Sequence, residues 1–146
     1  MRTDGRALVV ASATSFLVFV ILDAAWLLLV AVDLFQMRLG PILRPAPVFG
    51  AIVVFYFIYV GGLVVLAVQP ALGRNAWPSA AWRGAVLGLT AYATFDLTNL
   101  AVIERWTVGL AVADIAWGVT ASAIAASAGY AAGRLTSWSL IFERKK

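Results

Sequence analysis

The chain has no cysteine and no histidine among its 146 residues. These absences exclude disulfides, thiolate nucleophiles, zinc sites of the usual kind and histidine-ligated haem. Charge is scarce too: 12% of residues are charged against 63% hydrophobic, with a mean hydropathy of +0.94. Soluble domains carry about 25% charged residues, so this composition points to an integral membrane protein. Lysine occurs only as Lys145 and Lys146, which excludes a Schiff-base lysine buried between helices. Any chemistry must use carboxylate, phenol, hydroxyl, amide or indole groups, and neither a metal nor a cofactor is expected.

A helix needs about 20 apolar residues to cross the hydrocarbon core. Four runs meet that requirement, at about 7–32, 48–68, 84–103 and 108–133. The expected fold is all-α, a four-helix integral membrane bundle forming a single transmembrane domain over residues 1–146. The first run is too long for the apolar region of a cleaved signal peptide and reads as an uncleaved helix. Gly40-Pro41 and Pro45-Ala-Pro47 mark a connection at 33–47, and Pro70, Gly73 and Pro78 mark another at 69–82. The third, 104–107, is so short that the last two spans form an antiparallel hairpin. Its Glu104-Arg105-Trp106 is expected to mark the outer water boundary.

The net charge of +4 and the sequence pI near 10.0 are read through their distribution. Arg2, Arg6, Arg74, Arg83, Arg134, Arg144, Lys145 and Lys146 fall on one side of the spans, and Arg38, Arg44 and Arg105 on the other. This is the positive-inside bias, which predicts that both the N- and C-termini are cytoplasmic. The basic tail after Ser137–Phe142 is expected to lie against anionic headgroups of the inner leaflet. The lipid bilayer is thus the expected partner, and nucleic acid is not. Gly61-Gly62, Gly84 and Gly88, and the small residues from Gly118 to Gly133 suit close helix approach. Packing within the bundle is the first reading of these stripes, and a homo-oligomer face the second.

Three acids lie inside the spans: Asp23, Asp96 and Asp114. A charge at mid-bilayer costs about 2.5–3.5 kcal/mol or more, so each should turn inward. At 1.5 Å per residue, Asp23 lies about 15 Å below the outer surface, Asp96 about 12 Å and Asp114 about 10 Å. Tyr56 comes to about 12 Å on the same scale. Tyr92, Asp96 and Asn99 share one helical stripe with Thr98 beside it, and Trp26 and Trp117 follow Asp23 and Asp114 by three residues. Asp23, Asp96, Asp114, Asn99, Tyr92, Trp26, Trp117, Tyr56 and Thr98 therefore form the candidate site, a polar pocket with aromatic walls in the outer half of the bilayer. No basic residue lies within these spans to neutralise the acids, so the cluster is expected to hold at least one proton.

Asp23-Ala-Ala-Trp-Leu27, Tyr92-Ala-Thr-Phe-Asp-Leu-Thr-Asn-Leu100 and Asp114-Ile-Ala-Trp-Gly118 together resemble the bacterial membrane protein family catalogued as domain of unknown function 2177. The resemblance runs from about Phe16 to Ala126 with the same four-span layout. Phe95 stands where the family more often has tyrosine. The resemblance implies the fold and a bacterial inner-membrane location; it implies no established activity, and a role around membrane lipids only by association.

The residues themselves allow three functions. The cluster binds or moves a small polar or cationic ligand, a lipid headgroup or a proton. Alternatively, the chain is an enzyme or accessory subunit of membrane-lipid modification, with one Asp as base, another as acid, and Asn99 or Tyr92 stabilising developing charge. The third reading is a structural subunit whose polar layer fixes assembly.

Overall fold

The computed structural model describes residues 4–143. Arg2, Arg144, Lys145 and Lys146, four of the cations behind the expected inward bias, lie outside the described residues. Four helices are long and apolar enough to cross a membrane: α1, Gly5–Leu39; α2, Phe49–Arg74; α3, Trp77–Val102; and α4, whose spanning part is Val108–Ser139 and which continues to Glu143. No strand occurs among the described residues. We call the end bearing residues 40–48 and 103–107 the hairpin end, and the opposite one the terminal end.

Asp4 starts α1 by accepting the Arg6 backbone N–H at 2.9 Å, the usual service of an N-cap carboxylate to an orphan donor. The helix does not stop at Val32. It passes through a π-helical turn at Leu27–Ala31, directly after Trp26, and continues over Val32–Leu39. This last segment lies on the α3–α4 hairpin, where Leu34, Phe35 and Leu39 pack with Leu100, Ile103, Trp106, Leu110 and Ala111. Apolar burial, rather than helix propensity, holds the extra turns.

A second π-helical turn, Val64–Val68, lies in α2 ahead of Pro70. Pro70 withdraws a donor from that turn, and Arg83 Nη1 reaches the Leu66 carbonyl at 3.4 Å. Residues 69–74, which read as a connection in the sequence, therefore remain helical. Asn75 makes the reversal in the left-handed conformation, at φ 56°, as a C-terminal cap often does, and accepts a hydrogen bond from Tyr130 Oη at 3.2 Å. Pro78 sits in the first turn of α3, where its missing N–H costs nothing. The hairpin to α4 is closed by Trp106 N to Ile103 O at 2.9 Å, and Thr107 Oγ1 accepts the Leu110 N–H at 3.3 Å.

Helix α4 is the axis of the bundle, and α1 and α3 pack along it. The α3 seam places Gly84 and Gly88 against Gly118, Ser122 and Ala126, and the α1 seam sets Ala7, Ala11 and Ser15 against Gly129 and Gly133. Ser15 Oγ also donates to the Ala125 carbonyl at 3.2 Å. Gly61 and Gly62 differ: a Cβ at either would meet nothing within 4 Å. Close packing on α4 is thus built from the small residues of α1, α3 and α4. Helix α2 is held less evenly. Its Phe49–Leu63 part leans mainly on α1, and the Val64–Val68 turn with Gln69–Arg74 makes most of its packing against α3 and α4.

A methyl group at Gly88 would run into the Gly118 carbonyl and stand 2.8 Å from Ser122 Oγ. Overpacking against backbone costs about 1–3 kcal/mol, so Gly88→Ala should lower the thermal midpoint of the detergent-solubilised protein, whereas Gly61→Ala should leave it unchanged. Equal midpoints for the two variants would show that the α3–α4 seam is not set by close approach.

Candidate functional site

The Asp-x-x-Trp echo of α1 and α4 acquires a geometric meaning in the bundle. The two helices run antiparallel, so the tryptophan of one motif comes level with the aspartate of the other. Trp26 Nε1 donates to Asp114 Oδ1 at 3.1 Å. The rings of Trp26 and Trp117 stack with centroids 5.1 Å apart and planes within 8°, a contact worth about 0.5–1.5 kcal/mol beyond its buried area. The reciprocal bond from Trp117 to Asp23 is not made. Trp117 Nε1 is buried without a hydrogen-bond partner among the described residues.

Asp23 instead accepts from two phenols. Tyr56 Oη donates to Oδ2 at 2.8 Å and Tyr92 Oη to Oδ1 at 3.5 Å. The Tyr92 ring lies flat against Gly118, where any Cβ would overlap it. That glycine makes the room that lets an α3 phenol reach an α1 carboxylate past α4. Tyr59, one turn below Tyr56, hydrogen-bonds with Ser122 Oγ at 2.6 Å and meets Tyr92 edge-on at 6.1 Å.

Asp96 is fully enclosed, at 0% exposure, and its Oδ1 accepts from Trp106 Nε1 at 3.2 Å. Its Oδ2 is buried without a donor among the described residues. The donors to all three acids are neutral phenols and indoles, and no cationic side chain is bonded to them among the described residues.

A cavity of ≈ 410 Å³ adjoins the cluster. Asp23 and Asp114 line it together with Trp26, Tyr56 and Tyr92, and Phe35, Ile52, Phe55, Tyr59, Ala91 and Phe95 supply much of the rest of its wall. Asp96 does not line it, so the three acids differ in position: two face the cavity and one lies behind them. Trp117 supports Trp26 from the side. Thr98 is exposed on the outer face of α3, and Asn99 is half-buried, with its backbone carbonyl accepting from Ile103 N at 2.7 Å. Neither lines the cavity.

Two contributors had not been singled out from the sequence. Tyr59 carries a usable signal, since it follows Tyr56 by three residues on the same helical face. Trp106 carries none. Expected at the water boundary, it is only 6% exposed, folded back over Asp96 and held edge-on between Phe35 and Phe95 at 5.5 Å from each. The chain reversal that brings it there leaves no periodic trace.

Trp106→Phe keeps most of the ring contacts and removes the indole donor from a buried acid. Stranding such an acceptor costs about 1–3 kcal/mol, and the loss should appear as a lower unfolding midpoint. Trp106→Phe at full stability would mean that Asp96 draws its stabilisation from elsewhere.

No curated protein and no solved structure matches the chain. A family model described as "Predicted membrane protein (DUF2177)" matches residues 8–131, a stretch that contains every cavity-lining and acid-binding side chain named above. The chain therefore belongs to this family of predicted membrane proteins.

Proposed function

We propose that the protein binds, within the bilayer, the cationic or hydrogen-bond-donating group of a ligand, with Asp23 and Asp114 as its acceptors. The carrying observation is that two carboxyl groups with only neutral donors face a cavity of ≈ 410 Å³. Water in the liquid takes about 30 Å³ per molecule, so the space would hold roughly a dozen waters. A proton relay or a bare ion requires far less room, and walls this apolar would leave so many waters short of partners. Tyr56 and Tyr92 orient Asp23, Trp26 orients Asp114, and the Trp26 and Tyr92 rings provide the electron-rich faces that attract a cation. Asp96 and Trp106 act as positioning residues behind Asp114. The arginine distribution supports a hairpin end that faces outward, which would put the cavity in the outer half of the membrane.

Tetramethylammonium is a suitable probe, since three tryptophans flank the acids and report by fluorescence. In dodecyl maltoside micelles it should give a saturable change that weakens at least about tenfold, or about 1.4 kcal/mol, in Asp23→Asn and in Asp114→Asn at unchanged membrane abundance. The absence of saturation in the parent protein, or saturation that survives the double variant, would overturn the site. Orientation has a separate check, because the chain lacks cysteine. A membrane-impermeant maleimide should label Glu104→Cys in intact cells and Gly73→Cys only after lysis; the reverse pattern would place the cavity in the inner half.

A further inference from the structure

We infer that the ligand is an amphiphile with an ammonium head and an alkyl chain, and that it enters sideways from the lipid, between α2 and α3. The inference rests on the binding site proposed above and concerns what is attached to the bound group and how it arrives.

Each way along the bundle axis is obstructed. Toward the hairpin end, Phe35 lines the cavity and packs edge-on against Trp106, and the Val32–Leu39 segment lies over the α3–α4 hairpin around them. Toward the terminal end, Tyr59 forms the floor, tied to Ser122 at 2.6 Å and set against Tyr92. The wall formed by α1 and α4 carries the acids and the stacked indoles. What remains is the side where Phe49–Leu63 leans on α1 and meets α3 through Tyr59 against Tyr92, while the broader packing of α2 on α3 begins only at the Val64–Val68 turn and continues through Gln69–Arg74. Ile52 and Phe55 border this gap from α2, and Ala91 and Phe95 from α3. Phe55 and Phe95 remain 42% and 54% exposed at its mouth.

The gap opens at the depth of the acids, where the surroundings are hydrocarbon. A water-soluble cation would have to leave water before reaching it, at a cost of several kcal/mol. An amphiphile is already there, and its chain can stay between the phenylalanines while its head reaches the carboxyls. The charge of the site selects the head. Three acids whose donors are all neutral repel a phosphate or carboxylate head and attract an ammonium.

The test compares three probes in dodecyl maltoside micelles by tryptophan fluorescence: tetramethylammonium, dodecyltrimethylammonium and dodecyl sulfate. The parent protein should saturate with dodecyltrimethylammonium at a concentration at least about tenfold lower than with tetramethylammonium, and dodecyl sulfate should give no saturable change. Ala91→Trp fills the α3 side of the mouth and should remove the separation between the dodecyltrimethylammonium and tetramethylammonium titrations. Ile52→Trp does the same from α2 and serves if the first variant misfolds. Partition of the probe into micelles would raise its apparent affinity in every variant alike, so a gain that survives both blocking substitutions overturns lateral entry. Saturation by tetramethylammonium with no gain from the chain overturns the amphiphile and leaves the binding site standing. If tetramethylammonium does not saturate the parent protein, the site itself fails.

Discussion

The structure depends on satisfying buried carboxyl groups in a medium that offers them nothing. Within hydrocarbon an acid must find its donors on neighbouring helices. Asp23 finds them on α2 and α3, Asp114 on α1, and Asp96 at the hairpin that follows its own helix. These bonds tie all four helices to one level of the bundle. Because the bonds of Asp23 and Asp114 cross between helices, neither acid can be satisfied before the bundle assembles, and assembly is thereby coupled to formation of the site.

That level could not form if the helices stood at ordinary separation. Gly118 admits the Tyr92 ring, and Gly84 and Gly88 bring α3 close enough to α4 for the phenol to pass. The α1 seam at Gly129 and Gly133 does the same on the other flank. Helix α2 has no such seam over its first fifteen residues, and its glycine pair faces open space. The asymmetry follows from where the small residues lie. A bundle closed tightly around α4 on two flanks leaves its remaining helix free to stand away at one end, and the cavity is the result.

Much of this was legible in the sequence. Hydropathy gave four spans, and a rise of 1.5 Å per residue set Asp23, Asp96, Asp114 and Tyr56 at similar depth; among these four the structure bonds Tyr56 to Asp23, while Asp114 and Asp96 accept from Trp26 and Trp106. The Asp-x-x-Trp echo marked the residues that meet across α1 and α4, although a motif on one helix cannot reveal that its tryptophan will serve the other motif's acid. Other features had no sequence trace. The π-helical turn after Trp26 changes the register of α1 by one residue without any proline or glycine to announce it. Trp106 reaches Asp96 through a reversal, where helical spacing no longer applies. Thr98 and Asn99 were adjacent in the stripe that gave Asp96, but periodicity fixes a face only to within a wide arc, and α4 covers only part of it.

The three acids looked equivalent in the sequence and are not so in the fold. Asp96 is enclosed, bonded to an indole and not part of the cavity wall, the arrangement expected of a group that positions others. Asp23 and Asp114 line open space, and the bond that symmetry would assign between Trp117 and Asp23 is left unmade. A protein optimised only for stability would make that bond, since an unpaired buried N–H costs about 1–3 kcal/mol. Instead, Asp23 turns both oxygens toward tyrosines at the cavity wall. Buried polar groups left unsatisfied concentrate where function competes with folding. Here the two phenols hold the Asp23 carboxyl at the cavity wall, and Trp117 Nε1 is left without a partner among the described residues.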